Sequence, residues 1–308
     1  MFRLNDIILL LVIYVSILLG VLLPRLGSLF QPYLLYFMMY VFFSSFLPIK
    51  TDTIWHTLTG SVWTIVFLAF LKTIALPITI YFLFRATYPP YAISAMLLSG
   101  ISTGIVGLFI SNLVNANTSL VLVMVVITSM LVPFTLPALV KIILARSIDI
   151  SLYGMIRMLS LVIFVPILAV ETLRHLKPGL INGIMKRQFP VLLVVLSLVM
   201  QGAFSQYAQF FYQNPSTILM AMLVGVILSG IYFSVGILSF LKGSIRNQLA
   251  AVISLGNINN VLTIVFASQF FGPLEATVAA LYMLPFFGLI LPLRIYRTWR
   301  QNQKCGKN

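Results

Sequence analysis

Residues 251–265 read AVISLGNINNVLTIV, and how they cross a membrane decides the architecture of the chain. Apolar residues fill both ends, while Ser254, Asn257, Asn259 and Asn260 crowd into two helical turns around Gly256. On a helix of about 3.6 residues per turn these four side chains do not share one face. A continuous lipid-facing helix would therefore carry amides into hydrocarbon, where an unpaired amide is heavily penalised. Two arrangements avoid that penalty. Either the segment is enclosed on all sides, or its helix unwinds at Gly256 and turns backbone and amide groups toward a central cavity.

The rest of the chain makes the membrane setting explicit. Of 308 residues, 61% are hydrophobic and only 8% charged, and the mean hydropathy is +1.09; soluble domains carry roughly 25% charged residues. Lipid must solvate such a surface, so every backbone polar group inside the bilayer must pair internally. Long unbroken apolar runs favour a helix bundle over a barrel, whose strands alternate over about ten residues. Ten apolar segments are predicted, at 6–23, 33–48, 61–84, 91–114, 118–144, 152–174, 189–204, 215–239, 247–270 and 273–295. The first has a basic start but no small-residue cleavage site after it, so it reads as a span rather than a cleaved leader.

A net charge of +14 would point to nucleic acid in a soluble protein, but here the basic residues sit in short connections and in the 296–308 tail, with no basic and aromatic platform. They report orientation and contact with lipid head groups instead. The side holding both termini collects thirteen Lys and Arg, from Arg3 and Lys50 through Lys242 to Lys307, against Arg25, Arg85, Lys141 and Arg146 on the other. That asymmetry predicts cytoplasmic termini. The expected location is a bacterial inner membrane.

Internal repetition follows from two landmarks. Gly104 and Gly256 each sit in a polar break, and Val132-Pro133-Phe134 and Leu284-Pro285-Phe286 each lie in the next segment; 256 − 104 = 285 − 133 = 152. Shifted by that offset, residues 1–150 overlay residues 151–295, five spans on five. An odd number of spans per copy makes the second enter from the opposite face, an inverted repeat. Polar residues also mark the first copy: LLSGISTGIVGLFISN, residues 97–112, places Thr103 and Gly104 among small residues that suit either a tight helix crossing or an interrupted helix. Matched interruptions in two halves point to a transporter's binding site, with half-helix N-termini offered to an anion. The expected substrate-binding set is Thr103, Gly104, Ser254, Gly256, Asn257, Asn259 and Asn260.

These pieces resemble the bile acid:sodium symporter family over nearly the whole chain. The resemblance rests on the order and spacing of GVLLPRLGSLFQPYLLYFMMYVFFSSF, LKTIALPITIYFL, STGIVGLFISNLVNANTSL with VPFTLPAL, and ISLGNINNVLTIVFASQFFGP with ALYMLPFFG. It implies an all-α integral membrane protein of ten transmembrane helices in two inverted five-helix repeats. A panel domain of spans 1, 2, 6 and 7 would face a core domain of spans 3 to 5 and 8 to 10, with broken helices 4 and 9 crossing near two sodium sites and an organic anion as cargo. The sodium ligands are largely missing. Ser254 and Ile258 stand where the family has Glu and Gln, while Gly107, Leu108, Val121 and Val125 stand where it has polar ligands; only Gly256 and Asn259 match. No metal ligand set remains, and hard cations need several oxygens.

One charge occupies the vacated place. Lys72, inside AFLKTIALPI at residues 69–78, aligns with a family Gln that binds sodium. A lysine at the bilayer midplane costs about 2.5–3.5 kcal/mol on insertion scales. Three readings of it stand: a side chain snorkelling to the interface, an ammonium paired with carbonyls, or a tethered cation that replaces sodium and exchanges a proton during transport. In the last two it would bond backbone carbonyls and Asn257 or Asn259. Arg157 reads as an interfacial anchor or a substrate counter-ion, and Glu171 with Arg174 as a surface pair. His56 and His175 read as solvated loop residues.

The expectation is thus a secondary transporter for a small organic anion, sodium-independent, with no cofactor, either proton-coupled through Lys72 or uncoupled, and with lipid rather than nucleic acid around it. A transport-dead sensor or scaffold and an auxin-efflux-type carrier are the alternatives. Enzymatic chemistry would need paired carboxylates, a metal motif or an activated nucleophile, and five acidic residues, none at a span centre, supply little for it.

Overall fold

A computed structural model of the chain describes residues 4–49, 51–144, 151–213, 216–241 and 243–305. Arg3, Lys50, Arg146, Lys242 and Lys307, which entered the orientation argument, lie outside the described residues. The described residues are mostly helical, and no strand element occurs among them. In order the helices are α1 (Leu4–Leu22), α2 (Pro24–Ser28), α3 (Leu34–Phe46), α4 (Thr51–Gly60), α5 (Val62–Phe70), α6 (Leu76–Thr87), α7 (Ala92–Gly100), α8 (Val106–Leu113) and α9 (Thr118–Leu144). The second half holds α10 (Leu152–Leu176), α11 (Pro178–Ser205), α12 (Ala208–Gln213), α13 (Ser216–Ser239), α14 (Ile245–Gly256), α15 (Asn260–Phe270), α16 (Pro273–Leu281), α17 (Met283–Gly288) and α18 (Ile290–Cys305).

Seven helical stretches among the described residues are long and apolar enough to cross a membrane: Pro24–Phe46, Val62–Thr87, Thr118–Leu144, Leu152–Leu176, Gly179–Ser205, Ser216–Ser239 and Pro273–Asn302. The protein is an integral membrane protein on that ground. Exposed Leu168, Leu219 and Leu291 on these helices are the surface that lipid solvates. The helix α11 starts at Pro178, well before the apolar run predicted from residue 189. Polar residues of good helix propensity, Lys186, Arg187 and Gln188, carry it outward, and Gln188 Nε2 donates to the Ser44 carbonyl (2.5 Å) on α3.

Packing sorts the helices into two sets. In one, α1 and α2 lie on α11, α3 lies on α10 and α11, and α10 touches α11. In the other, α6 packs on α7, α13 on α14 and α16, α15 on α16, and α9 on α14 and α5. The sets meet where α9 and α15 touch α10 and where α15 touches α3 and α11. Close approach within the second set depends on Gly236, where an added Cβ would stand 2.5 Å from Val252 Cα on α14. At the end of α3, Arg174 donates to the carbonyls of Phe46, Leu47 and Ile49, and its other nitrogen pairs with Glu171 at 3.1 Å. The expected surface pair therefore also caps a neighbouring helix, since a helix end leaves its last carbonyls without intrahelical donors.

Between α5 and α6 the helix widens into a single π turn, Leu71–Ala75, with the Leu76 N–H donating to Leu71 O. Pro77 explains it. A proline inside a helix lacks its donor and its ring clashes with the carbonyl four residues back, here Thr73, and a π turn relieves the clash. The turn carries Lys72 into the interior of the second set, where it is fully buried.

Candidate functional site: a crossing of two discontinuous helices

Both polar segments singled out in the sequence break their helices. The chain leaves α7 after Gly100 and resumes in α8 at Val106; it leaves α14 after Gly256 and resumes in α15 at Asn260. The two gaps lie against each other as an isolated antiparallel bridge between Thr103 and Ile258. Gly104 N–H donates to Asn257 O at 2.6 Å, and Asn259 N–H donates to Ser102 O at 2.9 Å. Each unwound strand thus satisfies the other, which is what a non-helical stretch at membrane depth requires. Gly104 is held to glycine by this contact, for a Cβ there would meet Ile258 O at 2.5 Å. Thr103 N–H donates to Thr128 Oγ1 on α9 at 2.9 Å, which fixes the first strand from behind.

A helix end in a membrane leaves four carbonyls to be paired. At the end of α14 all four have donors. Ile253 O accepts from Asn257 N–H at 2.8 Å. Ser254 O accepts from Thr103 Oγ1 at 2.7 Å. Leu255 O accepts from Lys72 Nζ at 2.8 Å, and Gly256 O from Tyr282 Oη at 2.6 Å. The donors come from the π turn, the first break and the turn between α16 and α17, so the end of α14 ties together remote parts of the chain.

Lys72 sits where a cation is favoured. The carbonyl end of a helix carries roughly half a negative charge, and the ammonium also lies 5.5 Å from the centroid of the Tyr232 ring, a cation–π distance. Tyr232 Oη bonds Ser99 Oγ at 2.8 Å, and its ring packs edge-on against Tyr282 at 6.1 Å. The snorkelling reading is set aside by this burial and bonding. The expected amide partners are also corrected: neither Asn257 nor Asn259 is the partner of Lys72. Asn259 Oδ1 accepts from Leu262 N–H at 3.2 Å as the N-cap of α15, a role that asparagine favours. Asn257 is fully buried with neither side-chain end bonded among the described residues.

In front of the crossing lies a cavity of ≈ 110 Å³ between the two helix sets, room for several waters or a small solute. Ile13, Phe42, Phe46 and Leu196 form its wall on one side, and Thr103, Gly104, Asn259 and Asn260 on the other. Of the expected binding residues, these four reach the cavity. Ser254, Gly256 and Asn257 are buried behind it. Asn260 lines the cavity at 5% exposure, and its Oδ1 is buried with no partner among the described residues. The residues Ile105 and Val106 at the start of α8, and Asn260 and Val261 at the start of α15, also line this space. Two helix N-termini together bring about one positive charge to it, and among the described residues no ionisable side chain lines it. Arg157 is exposed and not at the cavity, as an anchor would be. Tyr232, Tyr282 and Thr128, central to the crossing, were not singled out in the sequence; their signal was only a hydroxyl inside an apolar run.

Fold and site together define an all-helical integral membrane protein organised around two interrupted helices that cross. No known protein-family model matches the chain, and no curated protein sequence matches it.

Proposed function

We propose that the protein is a secondary transporter that moves a small organic anion by alternating access, without sodium, and with Lys72 in the place of a sodium ion. The observation that carries this reading is the crossing itself: two discontinuous helices present their N-terminal ends to one cavity between two helix sets that meet along α9, α10 and α15. Matched interruptions of this kind are the signature of a midplane binding site. Seven long spans, α1 and the two interrupted pairs make ten crossings in this reading, arranged as two inverted repeats. The set containing α1, α3, α10 and α11 serves as the panel against which the crossing set moves. The termini are cytoplasmic.

Substrate chemistry follows from charge and size. About one unit of positive dipole charge at the cavity suits a monoanion, and Asn260 adds an amide to orient it. The apolar wall of Phe42, Phe46 and Leu196 favours a hydrocarbon portion beside the anionic group. Lys72 holds the end of α14 as a dissolved cation would, through the Leu255 carbonyl, which makes sodium dispensable.

The test is uptake of radiolabelled short-chain carboxylates and sulfonates into proteoliposomes, with sodium replaced by choline in a parallel series. Saturable uptake that is equal in both media is expected. A second reading, a sensor without transport, draws on the small volume of the cavity; it predicts ligand-induced thermal stabilisation with no flux. Absence of both flux and stabilisation across the series rejects the carrier and the sensor together.

A further inference from the structure

A second cleft, distant from the crossing, has a different chemistry. It encloses ≈ 530 Å³ where the turn between α8 and α9 meets the start of α14 and the outer part of α18. Asn115, Thr118, Ser244, Arg246, Arg297 and Gln301 contribute to its walls. Arg246 and Arg297 both line this space, and among the described residues no acidic one does. The ion pairs among the described residues involve Glu171 alone, with Arg174 and His175, so neither arginine of the cleft has a carboxylate there.

The walls are fixed in advance of any ligand. Asn115, at φ 52°, adopts the left-handed conformation that asparagine tolerates. With its amide oxygen turned to α18, it accepts from Arg297 Nη1 and Nη2 at 2.5 and 3.2 Å. Asn117 N–H donates to Arg246 O at 3.0 Å, and its Nδ2 donates to Asn247 Oδ1 at 2.9 Å. Thr118 Oγ1 donates to Asn112 Oδ1 at 3.0 Å. Ser244 caps α14, accepting from Asn247 N–H at 3.2 Å. The 12-residue α14 adds the positive end of its dipole to two arginine forks, a combination suited to an oxyanion with several acceptor oxygens.

We propose that this cleft binds a phosphate group, clamped between Arg246 at the start of α14 and Arg297 on α18. A free phosphate and a phospholipid head group share that chemistry, and the position of α18, with Ile295 and Trp299 exposed beside Arg297, gives access to both. Occupancy would tie α18 to α14, the helix whose other end holds the crossing.

The full chain, purified in neutral detergent, is titrated with inorganic phosphate at constant ionic strength by calorimetry and scanning fluorimetry. In parallel it is reconstituted into nanodiscs of phosphatidylcholine with and without phosphatidylglycerol. A saturable response to phosphate in detergent assigns the free anion; a response to phosphatidylglycerol alone assigns the lipid head group; either supports the site. Arg246→Gln and Arg297→Gln should each weaken the apparent affinity roughly tenfold, the loss of one charge-assisted contact, while Lys177→Gln leaves it unchanged. Arg246 is exposed, so its substitution leaves the fold intact even where Arg297→Gln loosens the Asn115 turn. No response to either ligand, or a response that survives Arg246→Gln, overturns the proposal.

Discussion

Removing the ammonium of Lys72 tests the crossing most directly. Lys72→Ala deletes the donor to Leu255 O, a 2.8 Å bond inside a fully buried site. An orphaned buried carbonyl costs about 1–3 kcal/mol. The void left by three methylenes and the amine adds about 2 kcal/mol at typical cavity penalties. Relief of the buried charge offsets part of this, leaving a net loss of about 3 kcal/mol. At about 2 °C per kcal/mol for a chain of this length, the melting temperature in detergent should fall by about 6 °C. Two further variants separate the contributions. Lys72→Met keeps the volume and should lose less than Lys72→Ala, while Lys72→Gln keeps a donor and should be the mildest of the three. Sodium chloride against choline chloride, added to each variant during thermal unfolding, asks whether an ion re-enters the space. A Lys72→Ala protein that melts within about 1 °C of the wild type, with unchanged uptake, would refute the structural and the transport roles alike.

Three other outcomes are expected. Gly104→Ala forces a Cβ to 2.5 Å from Ile258 O, a backbone clash worth about 1–3 kcal/mol, and should lower both the melting temperature and transport. Tyr282→Phe removes the donor to Gly256 O at about 1 kcal/mol, seen as a small drop in the same melt; no change would mean that Ile258 N–H, at 3.1 Å, suffices. Asn260→Ala should leave the unliganded melting temperature nearly unaltered, because its Oδ1 has no partner to lose, while abolishing stabilisation by whichever anion is transported; retained stabilisation would remove Asn260 from the binding wall.

Much of the architecture was legible because lipid permits so few solutions. The uninterrupted apolar run 118–144 reads as a span and is one, Thr118–Leu144. The amides around Gly256 read as an enclosed segment or a break, and the small polar residues around Gly104 as a tight crossing or a break; both helices break there. What pairs with what was not legible. The partner of Lys72 is a carbonyl 183 positions away, and every residue has a carbonyl, so the choice depends on the angle at which the helices cross. The roles of Tyr232 and Tyr282 were hidden for a similar reason: aromatic residues in apolar spans usually only pack, and their hydroxyls become informative once α7 and α14 end beside them. The start of α11 lies before its apolar run because hydropathy follows the bilayer core, whereas a helix continues into the interface on propensity and side-chain bonds.

The bond between Lys72 and Leu255 also sets a schedule for biogenesis. With 183 positions between donor and acceptor, synthesis at about 5–20 residues per second leaves the amine without its acceptor for about 10–40 s. During that interval the nascent chain must shelter Lys72 in the insertion machinery or at the lipid surface. A chain truncated before Leu255 is therefore expected to expose Lys72 to a water-soluble amine-reactive label, and the full-length chain to protect it; equal labelling of the two would show that the earlier helices bury it unaided.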